Sequence, residues 1–323
     1  MNDIKRITWV DSYKGILIFL VVLGHCLQNI SIDTTTVSHQ VYLWIYCFHM
    51  TAFFVISGYL TKIDTCILSK DNLVKKLKKL ILPAYFYMPF VILYKLIRGM
   101  DIDYSLISLI KTVFLMNGGI TQNLWFFSAL FSSYLIICLV RPFLLKKIKI
   151  IIVAVILMCL AICCKYIIKI TLPFFFEVGL LGSSIMLFGN LLKEVIAVFN
   201  RRKFLLVLVF LLTVLYSFMS SETIGYYSLD IGNPLVFFFI SVIPSVCILI
   251  FVKDLFSEQN IFSRIGLFTD RIYGTHWVFV ALAEVALYYV FPQGTCFGFV
   301  FNLLITIVII QLIVFFSIRL KNR

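Results

Sequence analysis

Apolar runs long enough to cross a lipid bilayer recur from residue 16 to residue 318, with little chain between them. A hydrocarbon layer about 30 Å thick takes roughly 20 residues of α-helix at about 1.5 Å per residue. Nothing at that depth solvates free backbone amides or carbonyls, so such a chain is confined to helices or a closed barrel. A barrel reads as short alternating segments, which the sequence lacks. With 62% hydrophobic and 13% charged residues, the composition lies outside the range of soluble domains. The expected fold is all-α, a polytopic integral membrane helical bundle.

About ten transmembrane helices fit the hydropathy, near 14–32, 40–60, 80–98, 122–140, 149–168, 172–192, 203–220, 234–252, 271–291 and 297–318. Residues 104–116 form a shorter apolar piece that suits an interfacial or re-entrant segment. The net charge of +13 does not point to nucleic acid, because the basic residues gather in alternate loops. Lys62, Lys70, Lys75, Lys76, Lys78 and Lys79 share one loop; Arg141, Lys146, Lys147 and Lys149 the next such loop; Lys193, Arg201, Arg202 and Lys203 a third. Arg319, Lys321 and Arg323 close the chain, while loops 31–39, 221–233 and 292–296 carry no Lys or Arg. The positive-inside rule then puts both termini in the cytoplasm. Lys5 and Arg6 precede an apolar run as in a signal peptide, but no small-residue cleavage site follows, so a retained first span is expected.

Stretches between spans run to about twenty residues, too short for a separate catalytic module. Residues 1–323 are therefore expected to form a single membrane-embedded domain, its chemistry built between helices. The nine cysteines fall mostly in apolar segments without paired metal-ligand spacing. They read as small apolar space-fillers, and no metal is expected.

Ionisable side chains at membrane depth are costly and mark candidate sites. Lys14 and His25 lie eleven residues apart in the first span. Eleven residues are close to three helical turns, so the two share a face with about 16 Å between them. His49 lies nine residues beyond Gln40 in the second span, roughly 14 Å in from the other side. A short loop makes these spans antiparallel neighbours, so the two histidines reach similar depth. They suit acid–base catalysis of acyl transfer, since neutral imidazole takes a proton from an attacking hydroxyl and returns it to a leaving thiolate. Structural histidines bonded to backbone carbonyls are the competing reading. Which histidine is the base, and whether a transient acyl-histidine forms, stays open.

Asp11 stands one turn before Lys14, and Lys14 serves either as an interfacial anchor or as a point charge for cofactor phosphates. Trp125 fits an aromatic belt or a stacking platform for a sugar. Glu177 and Glu284 are deep carboxylates expected to find partners within the bundle. His276 is a third site histidine or an interfacial one.

With these residues in view, the chain resembles bacterial membrane acyltransferase family 3, and within it the branch described as fucose 4-O-acetylase-like. The resemblance rests on Asp11-x-x-Lys14-Gly15 with Lys14-x10-His25, and on Phe48-His49-Met50-x-x-Phe53-Phe54-x-x-Ser57-Gly58-Tyr59. Leu124-Trp125-Phe126, Pro173-Phe174-Phe175 to Gly179, Phe188-Gly189-Asn190, Ile265-Gly266 and Ile272-Tyr273-x-x-His276 support it in order along the chain. The resemblance implies an O-acyltransferase of the cytoplasmic membrane. It would pass acetyl from cytosolic acetyl-CoA, a co-substrate, to a hydroxyl of a cell-surface polysaccharide or its lipid-linked precursor. It implies His25 and His49 as catalytic and Lys14 in donor binding; on the reading of the residues themselves, Asp11 joins Lys14 as a donor-binding candidate, and Ser57, Tyr59, Trp125, Glu177 and His276 are expected to contact the acceptor or line the site. The family usually has arginine where Lys14 stands, so a looser phosphate contact is expected. Asn123 stands where many relatives carry histidine and takes no catalytic role. Other readings are a lipid-linked glycan flippase or proton-coupled transporter, with the histidines as a proton relay, or a glycan polymerase. The missing internal repeat argues against transport, and the short outer loops against a polymerase.

Overall fold

The computed structural model describes residues 6–30, 37–116, 118–119, 121–169, 171–200, 203–220, 223–291 and 297–321. Cys296, Arg201, Arg202 and Arg323 lie outside the described residues. The protein is helical, and its helices are α1 Thr8–Ile30, α2 Val37–Leu60, α3 Lys70–Ile97, α4 Leu106–Val113, α5 Trp125–Val140 and α6 Lys147–Cys163. They continue with α7 Phe176–Asn200, α8 Lys203–Met219, α9 Pro234–Leu255, α10 Ile261–Gly266, α11 Thr269–Val290 and α12 Phe299–Lys321. Among the described residues, eight helices are long and apolar enough to cross a membrane. Helices also stand at the two other expected spans. One is the 17-residue α8, and the other is α11, which carries Asp270, Arg271 and Glu284.

Helix ends and irregularities follow from local chemistry. Proline lacks an N–H and its ring clashes with the carbonyl four residues back. Ahead of Pro83 and Pro244 the ladder slips to wider π turns at Leu77–Ile81 and Phe238–Val242. The segment 104–116 becomes α4, capped by Ser105, whose Oγ accepts from the Ser108 amide at 3.2 Å. Its polar Ser108 and Thr112 are buried, and its apolar Leu106, Ile107, Leu109, Ile110 and Val113 are exposed. That inversion of ordinary soluble amphipathicity suits a helix lying against lipid.

The chain forms two compact units. The first comprises Met1–Phe53, Arg202–Thr223 and Phe238–Arg323; the second comprises Phe54–Arg201 and Ile224–Phe237. In the first, α1 crosses α10 at backbone contact. A Cβ added to Gly15 would collide with the Phe262 carbonyl, and one added to Gly266 with the Asp11 carbonyl. Asn260 caps α10 in a reciprocal box with Ser263 and donates to Ser12 Oγ at 2.9 Å. The Tyr13 hydroxyl donates to the Ser245 carbonyl at 2.8 Å, pinning α1 to α9.

In the second unit, small residues let helices approach closely, as packing without a water-driven hydrophobic effect requires. Gly179 and Gly182 face Ser132 and Ser133 on α5. Ser133 Oγ donates to the Gly179 carbonyl at 3.1 Å, and Ser184 Oγ to the Ala154 carbonyl at 2.7 Å. Gly58 abuts the Met186 carbonyl and Gly189 the Val55 carbonyl. Asn190 Nδ2 donates to the Thr61 carbonyl at 2.6 Å, closing the end of that seam.

Candidate active site

The first unit gathers three histidines from three helices. α1 is one continuous helix of 23 residues, Thr8–Ile30, so Lys14 and His25 share a face about three turns apart. Both are half-buried. On α2, Tyr46 and His49 stand three residues apart, a spacing that puts side chains on one helix face; their ring centroids are 5.1 Å apart. The Tyr46 hydroxyl lies 2.8 Å from His25 Nδ1 and donates to Gln28 Oε1 at 2.9 Å. A hydroxyl has one proton. With that proton on Gln28, the Tyr46 oxygen accepts from His25 Nδ1–H, which leaves Nε2 of neutral His25 as a lone pair.

His49 and His276 are fixed the same way by backbone. His49 Nδ1 lies 2.7 Å from the Ile45 carbonyl. His276 Nδ1 lies 3.0 Å from the Ile272 carbonyl and 2.9 Å from that of Tyr273. Carbonyl oxygens only accept, so Nδ1 carries the hydrogen on both rings. His276 is 0% exposed, and its Nε2 has no hydrogen-bond partner among the described residues. The His25 and His276 rings stack at 5.1 Å with planes inclined by 25°, and Trp277 lies against His25 at 3.8 Å between centroids. His49 is 6% exposed, and His25 is half-buried.

Of the expected residues in this unit, His25 and His276 are thus in contact, and Tyr46 links His25 to His49. Asp11 is half-buried, and its carbonyl forms the crossing with Gly266. Glu284 is half-buried on α11. Ser57, Tyr59, Trp125 and Glu177 belong to the second unit. There the Ser57 carbonyl accepts from Thr61 Oγ1 at 2.7 Å, and Tyr59 is half-buried. Trp125 lies nearly parallel to Tyr226 at 12°, with ring centroids 6.2 Å apart. Glu177 is buried and accepts from the Leu172 amide at 3.0 Å, so this deep carboxylate finds its partner in the backbone leading into its own helix.

Sequence reasoning passed over Tyr46 and Trp277. Tyr46 had a usable signal, since it precedes His49 by three residues. Trp277 had none beyond its place next to His276.

The helical, membrane-suited fold and the cluster of proton-carrying imidazoles define a multi-pass membrane protein equipped for acid–base chemistry. Comparison with known proteins sharpens that class. The chain belongs to the acyltransferase family whose model, described as an acyltransferase domain, matches residues 7–311. A curated relative, the nodulation protein NolL of Mesorhizobium japonicum, is 30% identical over 138 residues, covering 41% of this chain and 35% of that protein. The chain thus aligns with about a third of that relative's length. No solved structure matches the chain.

Proposed function

We propose that this acyltransferase moves an acetyl group from cytosolic acetyl-CoA to a hydroxyl of a cell-surface polysaccharide or of its lipid-linked precursor. It acts as one membrane-embedded domain of the cytoplasmic membrane, with both termini on the cytoplasmic side. The observation that carries the chemistry is the bond from His25 to Tyr46, which orients an imidazole whose Nε2 is free to accept a proton. The acceptor hydroxyl gives its proton to His25 Nε2 as its oxygen attacks the thioester carbonyl. The C–S bond then breaks, and the departing thiolate recovers the proton from the imidazolium. While the ring is charged, Nδ1–H bonds more strongly to the Tyr46 oxygen, because a hydrogen bond from an ionised donor is roughly twice as strong as a neutral one.

His49 and His276, each with a bare Nε2, provide further acceptors beside the reacting group. Lys14 faces the donor phosphates as a point charge while the pantetheine arm runs along α1 toward His25. Within the second unit, the Trp125–Tyr226 pair offers a flat aromatic surface of the kind that stacks on a sugar ring. The test is His25→Ala in the producing cell, with membrane expression confirmed by immunoblot. Loss of polysaccharide O-acetyl signals in the NMR spectrum is expected. An unchanged O-acetyl content would remove His25 from the chemistry.

A further inference from the structure

Backbone fixes the tautomer of two site histidines and leaves the third to side chains. His49 and His276 turn Nδ1 to main-chain carbonyls, which accept and never donate. His25 Nδ1 meets the Tyr46 hydroxyl instead, at 2.8 Å. A hydroxyl takes either part, so Tyr46 alone leaves His25 undecided. Were Tyr46 to donate to Nδ1, the ring hydrogen of neutral His25 would sit on Nε2, and no lone pair would remain there. Where Tyr46 accepts from Nδ1–H, Nε2 is bare.

The next group along makes the choice. The Tyr46 hydroxyl donates to Gln28 Oε1 at 2.9 Å, and a carboxamide oxygen is an acceptor only. One hydroxyl proton directed at Gln28 is withheld from Nδ1, and the imidazole must then supply the hydrogen between itself and Tyr46. Gln28 stands three residues beyond His25 on α1, a spacing that puts both on one helix face. Its side chain is exposed, so core packing does not account for its place. His25, Tyr46 and Gln28 thus form a directed chain of two hydrogen bonds that ends on an oxygen.

We propose that Gln28 is a positioning residue: its carboxamide oxygen, acting through Tyr46, holds neutral His25 as the Nδ1–H tautomer and keeps Nε2 bare. That the bare Nε2 serves acetyl transfer rests on the proposed function; the setting of the tautomer does not.

The experiment reads the tautomer without turnover. Full-length protein carrying isotope-labelled histidine is reconstituted in nanodiscs, and nitrogen NMR spectra are recorded above the imidazole titration range, where protonated and bare ring nitrogens give separate signals. The chain has four histidines, and the His25 signals are those lost in His25→Ala. Wild-type His25 should be protonated at Nδ1 and bare at Nε2. Gln28→Met keeps the length of the side chain and removes the acceptor, so His25 should move toward the Nε2–H form. Gln28→Glu keeps an oxygen that only accepts, and should hold the wild-type tautomer. In a Tyr46→Phe background, Gln28→Met should change nothing further, because its effect passes through the hydroxyl. Nε2–H as the main form in the wild type, or an unchanged tautomer in Gln28→Met, would overturn the assignment.

Kinetics of the same variants separate this role from the proposed reaction. Gln28→Met should lower kcat for acetyl transfer by about tenfold, the scale of one hydrogen bond, with KM for acetyl-CoA unchanged, and Gln28→Glu should restore most of the loss. A shifted tautomer with wild-type kcat would uphold Gln28 as the residue that sets the ring and remove His25 Nε2 as the base.

Discussion

The imidazoles of His25 and His276 stack with centroids 5.1 Å apart, although they come from opposite ends of the chain. The stack has two components that substitution separates, the ring contact and the free Nε2 of His276. His276→Phe keeps an aromatic ring against His25 and removes the lone pair. If that nitrogen takes part in proton handling, kcat in a purified acetyl-transfer assay should fall by about a hundredfold, the lower end of what a positioned acid–base group contributes. The thermal midpoint in detergent should change little. Wild-type turnover in this variant would reduce His276 to packing.

Tyr46 is a positioning residue, acting through the tautomer and orientation of His25. Tyr46→Phe removes only the hydroxyl. A lost hydrogen bond that strengthens in the transition state lowers kcat rather than substrate affinity. The expected outcome is about a tenfold fall in kcat with an unchanged KM for acetyl-CoA. A rise in KM at constant kcat would instead place the hydroxyl in donor binding.

What the sequence made legible follows from what helical periodicity can and cannot encode. The pairing of His25 with the His49 helix was readable, because matching depths on adjacent antiparallel helices need only rise per residue and a short loop. The arrival of His276 was not, since α11 reaches α1 through a non-local packing choice with no local signature. The glycines show a different gap. Gly15, Gly58, Gly189 and Gly266 stood among the residues that carry the family resemblance, yet all four sit where backbones meet. Sequence alone does not reveal the carbonyl that excludes a Cβ. The span limits shifted for a third reason. α1 begins at Thr8 and α3 at Lys70, well before the hydropathic stretches, because helix hydrogen bonding continues past the hydrocarbon edge while hydropathy reports only the apolar part.

Gly15 and Gly266 make a stability prediction that is independent of chemistry. Gly15→Ala forces a Cβ into the Phe262 carbonyl, and Gly266→Ala forces one into that of Asp11. Neither obstacle is a flexible side-chain tip, so the helices must separate. Overpacking of this kind costs about 1–3 kcal/mol. Both variants should lower the unfolding midpoint of purified protein. Because the two collisions lie at one crossing, the double variant should lose less than the sum of the singles. Full additivity would mean that each site relaxes separately and that α1 and α10 do not move as one contact.

Lys14 gives the test of direction along α1. It is half-buried and about three turns from His25 on a continuous helix. An ammonium that holds a donor phosphate acts through charge, so its replacement should appear in acetyl-CoA binding. Lys14→Arg should preserve KM for acetyl-CoA or lower it, because guanidinium adds paired donors suited to phosphate. Lys14→Glu should raise KM by about tenfold or more, since a phosphate then meets a carboxylate where it met a cation. Raising ionic strength should narrow the gap between the wild type and Lys14→Glu, because screening weakens attraction and repulsion alike. Steady-state kinetics in nanodiscs at two salt concentrations reads both effects. Equal KM values for lysine, arginine and glutamate at position 14 would leave Lys14 as an interfacial anchor of α1 and move donor recognition elsewhere.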